Sequence, residues 1–313
     1  MLERSSVLRP LGWRSSVAKI LMKFGLNIRH VARVNPKCMY CGFLEAEFFP
    51  FATRADFNVR KLPEDVRWRF YSRSIGQCQH CGLVQDYSHL TENEIRSFLS
   101  AQGSNKDNSV SEEAYHTFPV PADYVESFNK NYFSIRTERW KSVLPDLSKL
   151  EDVLFFRPFF GASIDFVKEY SRAKCSALEI SEVARKTVEL KHPDVEFLNG
   201  NIHGLIFGDF VEVRKWDALF CFHTLCHSVD IRKMLQIMKS LVREGGFIVF
   251  SHETIFKPTN PFHNAFFDED WFVELLQKNF SKVERVPFCE EKPSQAIACM
   301  TNDASACDYV AWV

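Results

Sequence analysis

WDALFCFHTLCHSVDIRKMLQIMKSLVREGGFIVFSHE, residues 216–253, is the stretch whose reading decides the fold. Residues 218–222 are an unbroken apolar run, as expected of a strand covered on both faces, and Asp217 marks its start. Asp230 can then cap a helix in which Ile231, Met234, Leu235, Met238 and Leu241 recur at helical spacing. Gly245-Gly246 are expected to stop that helix before a second apolar run at residues 247–250. A strand, a crossover helix and a second strand make a parallel unit. Open parallel sheets bind ligands beyond the carboxyl ends of their strands, so residues 222–230 become a candidate site wall.

This unit resembles the fourth strand, following helix and fifth strand of class I S-adenosylmethionine-dependent methyltransferases. The family's turn there is an L-E-H-like sequence, and its helix ends in L-x-P-G-G. Here the turn is HTLCH, so Cys226 stands where Glu is common and His227 matches the His, while the helix end is LVREGG. The resemblance implies an α/β, Rossmann-like methyltransferase sheet, mostly parallel with a final antiparallel hairpin.

Composition sets the outer limits. A chain of 313 residues exceeds the usual single-domain size, so a main domain with a smaller module is expected. With 46% hydrophobic residues it can bury a core, and 39 basic against 40 acidic residues give no global electrostatic case for nucleic acid. No apolar run nears the roughly 20 residues of a membrane span, and an apolar signal core is lacking, so a cytoplasmic protein is expected. Its 10 cysteines are then thiols or metal ligands rather than a disulfide frame.

Residues 1–35 form a basic arm in which Trp13, Val17, Ile20, Leu21 and Phe24 share one helical face. Such an amphipathic helix can touch an anionic membrane surface, serve as a presequence or pack on its own domain. Residues 36–100 are a zinc-binding module. Cys38 and Cys41, then Cys78 and Cys81, form two C-x-x-C pairs each followed by Gly, the pattern of knuckles that hold one tetrahedral ion. Four thiolates leave no open position, so this zinc is structural. The following text, GLVQDYSHLTENEIRSFLS, is similar to a methyltransferase subgroup with an N-terminal zinc-binding domain, many of which act on sugars. Residues 101–150 read as a polar linker or lid followed by two helices, residues 151–301 as the methyltransferase-like domain, and residues 302–313 as a tail.

Strand one is expected at residues 152–156. The family's turn after it is apolar-apolar-[DE]-x-G-x-G-x-G, whereas this chain has VLFFRPFFGAS. Phe155 replaces the acid, Arg157 and Phe159 replace two glycines, and Gly161 alone remains. Later positions are better kept. Glu179 ends the second strand, where an acid can bond ribose hydroxyls, and Asn201 follows the third strand, where the family touches adenine. The resemblance therefore assigns S-adenosylmethionine to Gly161, Glu179 and Asn201. Two antiparallel strands are expected at residues 281–288 and 295–300.

For catalysis, His227 and His223 are candidates to take a proton from the acceptor, since neutral imidazole accepts one near physiological pH. Both could instead satisfy loop backbone groups. Three readings follow: a zinc-containing methyltransferase with a small polar or sugar acceptor, a catalytically lapsed scaffold of the same fold, and a nucleic-acid-binding zinc module resting on the arm and residues 67–73. Neutral overall charge opposes the third, so no nucleic-acid partner is expected.

Overall fold

The computed structural model describes residues 37–48, 75–87, 119–132, 134–179, 181–198, 205, 214–253, 263–286 and 306–313. The basic arm, residues 67–73 and Asn201 lie outside the described residues. So do residues 295–300.

A seven-stranded sheet forms the centre. In chain order its strands are β4 (Asp152–Phe156), β5 (Lys174–Leu178), β6 (Glu196–Phe197), β7 (Trp216–Phe222), β8 (Val242–Glu253), β10 (Lys282–Arg285) and β11 (Ala306–Trp312). Their spatial order is β10-β11-β8-β7-β4-β5-β6. β4, β5, β6, β7 and β8 run parallel, and β11 pairs antiparallel with both β8 and β10. The expected mostly parallel sheet with an antiparallel end is therefore present. Its closing strand is Ala306–Trp312, so the segment read as a tail is inserted between β8 and β10. The apolar run at residues 309–312 suits this place, with Tyr309, Val310 and Ala311 fully buried.

Side chains of each strand divide between two layers, as period-two pleating requires. Leu154, Phe156, Leu219, Cys221, Ile248 and Phe250 face one layer, with α5 (Ile231–Leu241) and α6 (Glu269–Asn279). Val153, Phe155, Ala218, Phe220 and Val249 face the other, with α2 (Ser134–Val143) and α3 (Ala162–Tyr170). The caps follow the sequence: Asp230 accepts from Lys233 N–H, Asp268 from Asp270 and Trp271 N–H, and Ser181 caps α4 (Glu182–Lys191) through Ala184 N–H. All five residues of the α5 stripe are buried, each contributing about 1.5–3 kcal/mol by leaving water.

α5 stops at Leu241, ahead of the glycine pair, and β8 begins at Val242. The pair instead shapes a bulge, because the β7–β8 register passes from Trp216↔Val242 to Ala218↔Phe247. Gly245 there has φ 78°. Gly246 meets the Asp217 carbonyl so closely that a β-carbon would lie 2.5 Å from its oxygen.

Asp217 closes the opposite edge. Its carboxylate accepts from Glu151 N–H (2.7 Å) and Asp152 N–H (2.9 Å) and pairs with Arg243, which also reaches Asp152 at 2.8 Å. Burial alone would raise its pKa, but the two backbone bonds and Arg243 outweigh it and hold the carboxyl below its ordinary value. The stabilisation is thus complete above the unfolded carboxyl value, about 3.9, and disappears as pH falls through the lower folded value. Asp217→Asn is expected to cost about 1.5–3 kcal/mol at neutral pH, from weakened charge-assisted bonds, with a gap to wild type that narrows below about pH 4. Urea unfolding of both proteins at pH 7 and pH 3 checks this, and a gap unchanged by acid would contradict it.

A smaller four-stranded antiparallel sheet has the order β1 (Ala46–Phe48), β2 (Ile75–Cys78), β3 (Val84–Asp86) and β9 (Ala265–Phe266). The cysteine module supplies three of these strands and the larger domain the fourth. Cys38, Cys78 and Leu83 share one apolar cluster with β7, α5 and α6. The module is thereby fused to the sheet layer. No helix among the described residues is long and apolar enough to cross a membrane.

Candidate functional site

Two places hold the candidate chemistry. The first is the cysteine quartet. Cys38 N–H bonds Phe43 O (2.8 Å) and Gly42 N–H bonds Cys38 O (3.0 Å); Cys78 N–H bonds Leu83 O (2.9 Å) and Gly82 N–H bonds Cys78 O (2.9 Å). The two knuckles therefore repeat one hydrogen-bond pattern, and both end in a left-handed glycine, Gly42 at φ 78° and Gly82 at φ 76°. Across them, Cys38 Sγ lies 3.7 Å from Cys81 Sγ and Cys41 Sγ 3.5 Å from Cys78 Sγ. A tetrahedral ion with metal–sulfur bonds of about 2.3 Å sets sulfur–sulfur edges of roughly 3.8 Å, so the quartet fits zinc.

The thiols of the quartet are pushed in opposite directions. The hydrogen bond from Cys81, joined by backbone N–H groups of Cys41 and Tyr40, holds the Cys38 thiol well below its ordinary pKa despite burial. The same pairing and burial push Cys81 up, and burial raises Cys41. The thiols compete for protons that a cation would displace from all four. Gln85, the last residue of the C-G-L-V-Q run, is buried and ties the knuckles together: its Oε1 accepts from Met39 N–H (2.9 Å) and its Nε2 donates to Lys37 O (3.3 Å). Trp271 of α6 donates its indole N–H to Cys81 O at 2.5 Å and packs edge-on to Tyr40.

The second place is the carboxyl edge of the large sheet. From β4 the chain builds outward through β5 and β6, then returns to β7 on the other side, so the crevice between β4 and β7 is the switch point. The turn leaving β4 is unusual in its backbone. Arg157 (φ 57°), Phe159 (φ 51°) and Gly161 (φ 87°) are all left-handed. Only the last has the residue type that adopts this freely, and the other two hold the strained conformation at the positions aligned with the family's missing glycines. Burial of Phe159 and Phe160 against Phe128 of α1 (Ala122–Tyr132) helps hold the turn, with ring centroids 5.8 and 5.1 Å away.

Glu179 stands one residue beyond β5. Its carboxylate accepts from Phe159 N–H (3.2 Å) and Ser181 N–H (2.9 Å), so it fastens the turn after β4 to the end of β5. Gly161 opens α3, but a β-carbon on it would meet His192 of the α4 end at 3.3 Å rather than the crevice. Arg157 spans the crevice, donating from Nη1 to His223 O at 3.2 Å.

The two histidine candidates separate. His223, at φ 45° and buried, follows β7 beside Arg157, and its N–H donates to Ser251 O of β8 (3.0 Å). His227 lies a turn further, buried in the short helix Leu225–His227, with its ring 4.8 Å from that of His263. It faces the junction with the small sheet. Sequence reading did not single out His263, Asn264 or Arg136; the last is a buried arginine that donates to Ser251 Oγ at 3.0 Å. The HN pair sits in a loop without periodicity, so only the fold brings it to His227.

Comparison with known proteins gives a consistent result. Residues 160–250, from the turn before α3 into β8, match the family model described as a methyltransferase domain. No curated protein matches the sequence significantly. Among solved structures, the chain is similar to an S-adenosylmethionine-dependent methyltransferase from Mesorhizobium loti, at 11% identity and TM-score 0.45 over 58% of this chain and 100% of that one. An O-methyltransferase family protein from Burkholderia thailandensis gives 13% identity and TM-score 0.45 over 70% of each chain. The N-methyltransferase NodS from Bradyrhizobium japonicum, in complex with S-adenosyl-L-homocysteine, gives 12% identity and TM-score 0.44 over 70% of this chain and 97% of that one. The central domain thus has a Rossmann-like methyltransferase fold, as the strand order displays directly.

Proposed function

We propose that this protein is an S-adenosylmethionine-dependent methyltransferase for a small polar acceptor such as a sugar, with a structural zinc in its cysteine module. The observation that carries the reading is the turn after β4, which keeps left-handed φ at residues 157, 159 and 161 although two of them are bulky. A backbone held in that conformation at a switch point presents main-chain groups to a ligand, and strain of this kind persists where the surroundings impose it. Arg157 and Phe159 narrow the approach, so the cofactor would reach the crevice from the β5 side, along Glu179.

The cofactor supplies an electrophilic methyl group on a sulfonium. Glu179, at the end of β5, would accept from the ribose hydroxyls, and the resemblance assigns Asn201 to the base. Gly161 serves by shaping the start of α3. His223, beside the crevice, would take the acceptor's proton, whereas His227 faces the junction with the small sheet. Closure by Arg157 would limit water near the reacting atoms.

Calorimetry with S-adenosylmethionine and S-adenosylhomocysteine tests the reading. Binding is expected for zinc-loaded protein, and Glu179→Ala is expected to weaken it by about 1–3 kcal/mol through loss of charged hydrogen bonds. Absence of binding at millimolar ligand in folded protein would replace the enzyme with a scaffold of the same fold.

A further inference from the structure

We propose that Cys226, His227 and His263 form a second metal site, for a divalent ion of the zinc class, with one coordination position open to water or to a thiol, hydroxyl or amine ligand. The site is separate from the cysteine quartet. Its three donor atoms lie within 4.8 Å of one another, and all three residues are buried. Tetrahedral coordination by one sulfur and two nitrogens needs donor separations of roughly 3.3–3.6 Å, which side-chain rotation of about 1 Å supplies. A thiolate with two imidazoles is a borderline-soft set that suits zinc, and three protein ligands leave the fourth position that catalytic sites keep.

The main chain holds the donors together before any ion arrives. Cys226 and His227 come from the loop after β7, and His263 from the loop just before β9. Asn264 joins the two: its N–H donates to Cys226 O at 2.7 Å, and its Nδ2 donates to His227 O at 2.5 Å. Its own carbonyl accepts from Asp86 N–H at 2.8 Å, which anchors the junction to β3 of the cysteine module. A single residue therefore fixes the backbones on either side of the three ligands. Preorganisation of this sort is what a metal site needs from its outer groups. The Cys226 thiol now donates to His223 O at 3.4 Å, a weak bond that an ion would replace by taking the proton's place on sulfur.

The substitution of Cys for the family's common Glu then has a chemical meaning, because it turns the loop into a metal-ligand pair, Cys-His. Under the methyl-transfer reading, the open position is where an acceptor heteroatom would bind at the carboxyl edge of β7. Metal binding itself does not rest on that reading.

The test is metal stoichiometry on the full-length protein purified with zinc. About two equivalents per chain are expected for wild type and about one for Cys226→Ala and for His263→Gln. Release to a colorimetric chelator should be biphasic for wild type, the faster phase coming from the three-ligand site, and that phase should vanish in both variants. A single equivalent released in one phase from folded wild-type protein overturns the proposal, and this readout needs no variant to fold. So does loss of zinc from the quartet, rather than from a second site, in the variants. Calorimetry with S-adenosylmethionine, run in parallel, keeps the two readings apart: two metals without cofactor binding would leave this site standing and remove the methyltransferase reading.

Discussion

Removing the zinc proposed for the cysteine quartet should unfold the module and loosen the end of the large domain that leans on it. Among the described residues the module's strands are three or four residues long, and each knuckle is closed by two backbone hydrogen bonds. Structural zinc contributes about 10–16 kcal/mol of apparent free energy in small zinc domains, as much as the whole stability of a typical domain, about 5–15 kcal/mol. The loss should spread. Trp271 depends on Cys81 O for its indole bond, β9 depends on β3 for its ladder, and Cys38, Cys78 and Leu83 are packed into the same cluster as Leu235 and Phe272. Cys78→Ser, or a strong chelator with mild denaturant, should therefore lower the melting temperature and shift Trp271 fluorescence in one transition. Metal-free protein that melts like the zinc-loaded form, with unchanged tryptophan emission, would show that the quartet binds nothing of structural weight.

Gly246→Ala is expected to cost about 3–5 kcal/mol, the upper range for a single substitution and large for one methyl group. The added carbon would lie 2.5 Å from Asp217 O, 2.7 Å from Val242 Cγ1 and 3.0 Å from Arg243 O. Two of these neighbours are backbone and cannot swing aside, so relief requires the β7–β8 bulge to open. Opening it disturbs the residues that hold Asp217 to Arg243 and the bonds between Gly245, Gly246 and Val313 that seat β11. Gly245→Ala makes the informative comparison. Nothing lies within 4 Å of its added carbon, so only the positive φ opposes it, at about 1 kcal/mol. Thermal unfolding of both variants checks the order, and equal costs would show that strain, not contact, governs the pair.

Particular residues show where sequence reasoning held and where it stopped. Asp230 was legible as a cap because a cap is a local hydrogen bond between near neighbours. The α5 stripe and the apolar runs of β4 and β7 were legible because their periods register which faces are covered. Gly245-Gly246 misled, since a glycine pair after a helix signals a stop whether it ends the helix or bends the next strand; here the closeness of Asp217 O decides. The closing strand was sought at residues 295–300 and lies at Ala306–Trp312, because a strand's pairing partners leave no mark that a short apolar run elsewhere does not also carry.

By itself, the sequence determined the parallel unit of β7, α5 and β8, the two knuckles with their four cysteines, and the caps and stripes that make the helices. Those features are written in spacing, and spacing is local. Tertiary structure alone decided that Glu179 is fastened to the turn after β4, that Arg157 crosses to His223, that His227 turns toward His263, and that Asn264 joins the methyltransferase-like sheet to the cysteine module. Each of these joins groups about 20 or more residues apart, and no local pattern encodes such a meeting: it follows from strand order and from burial of both sheet faces, which bring distant loops to one edge.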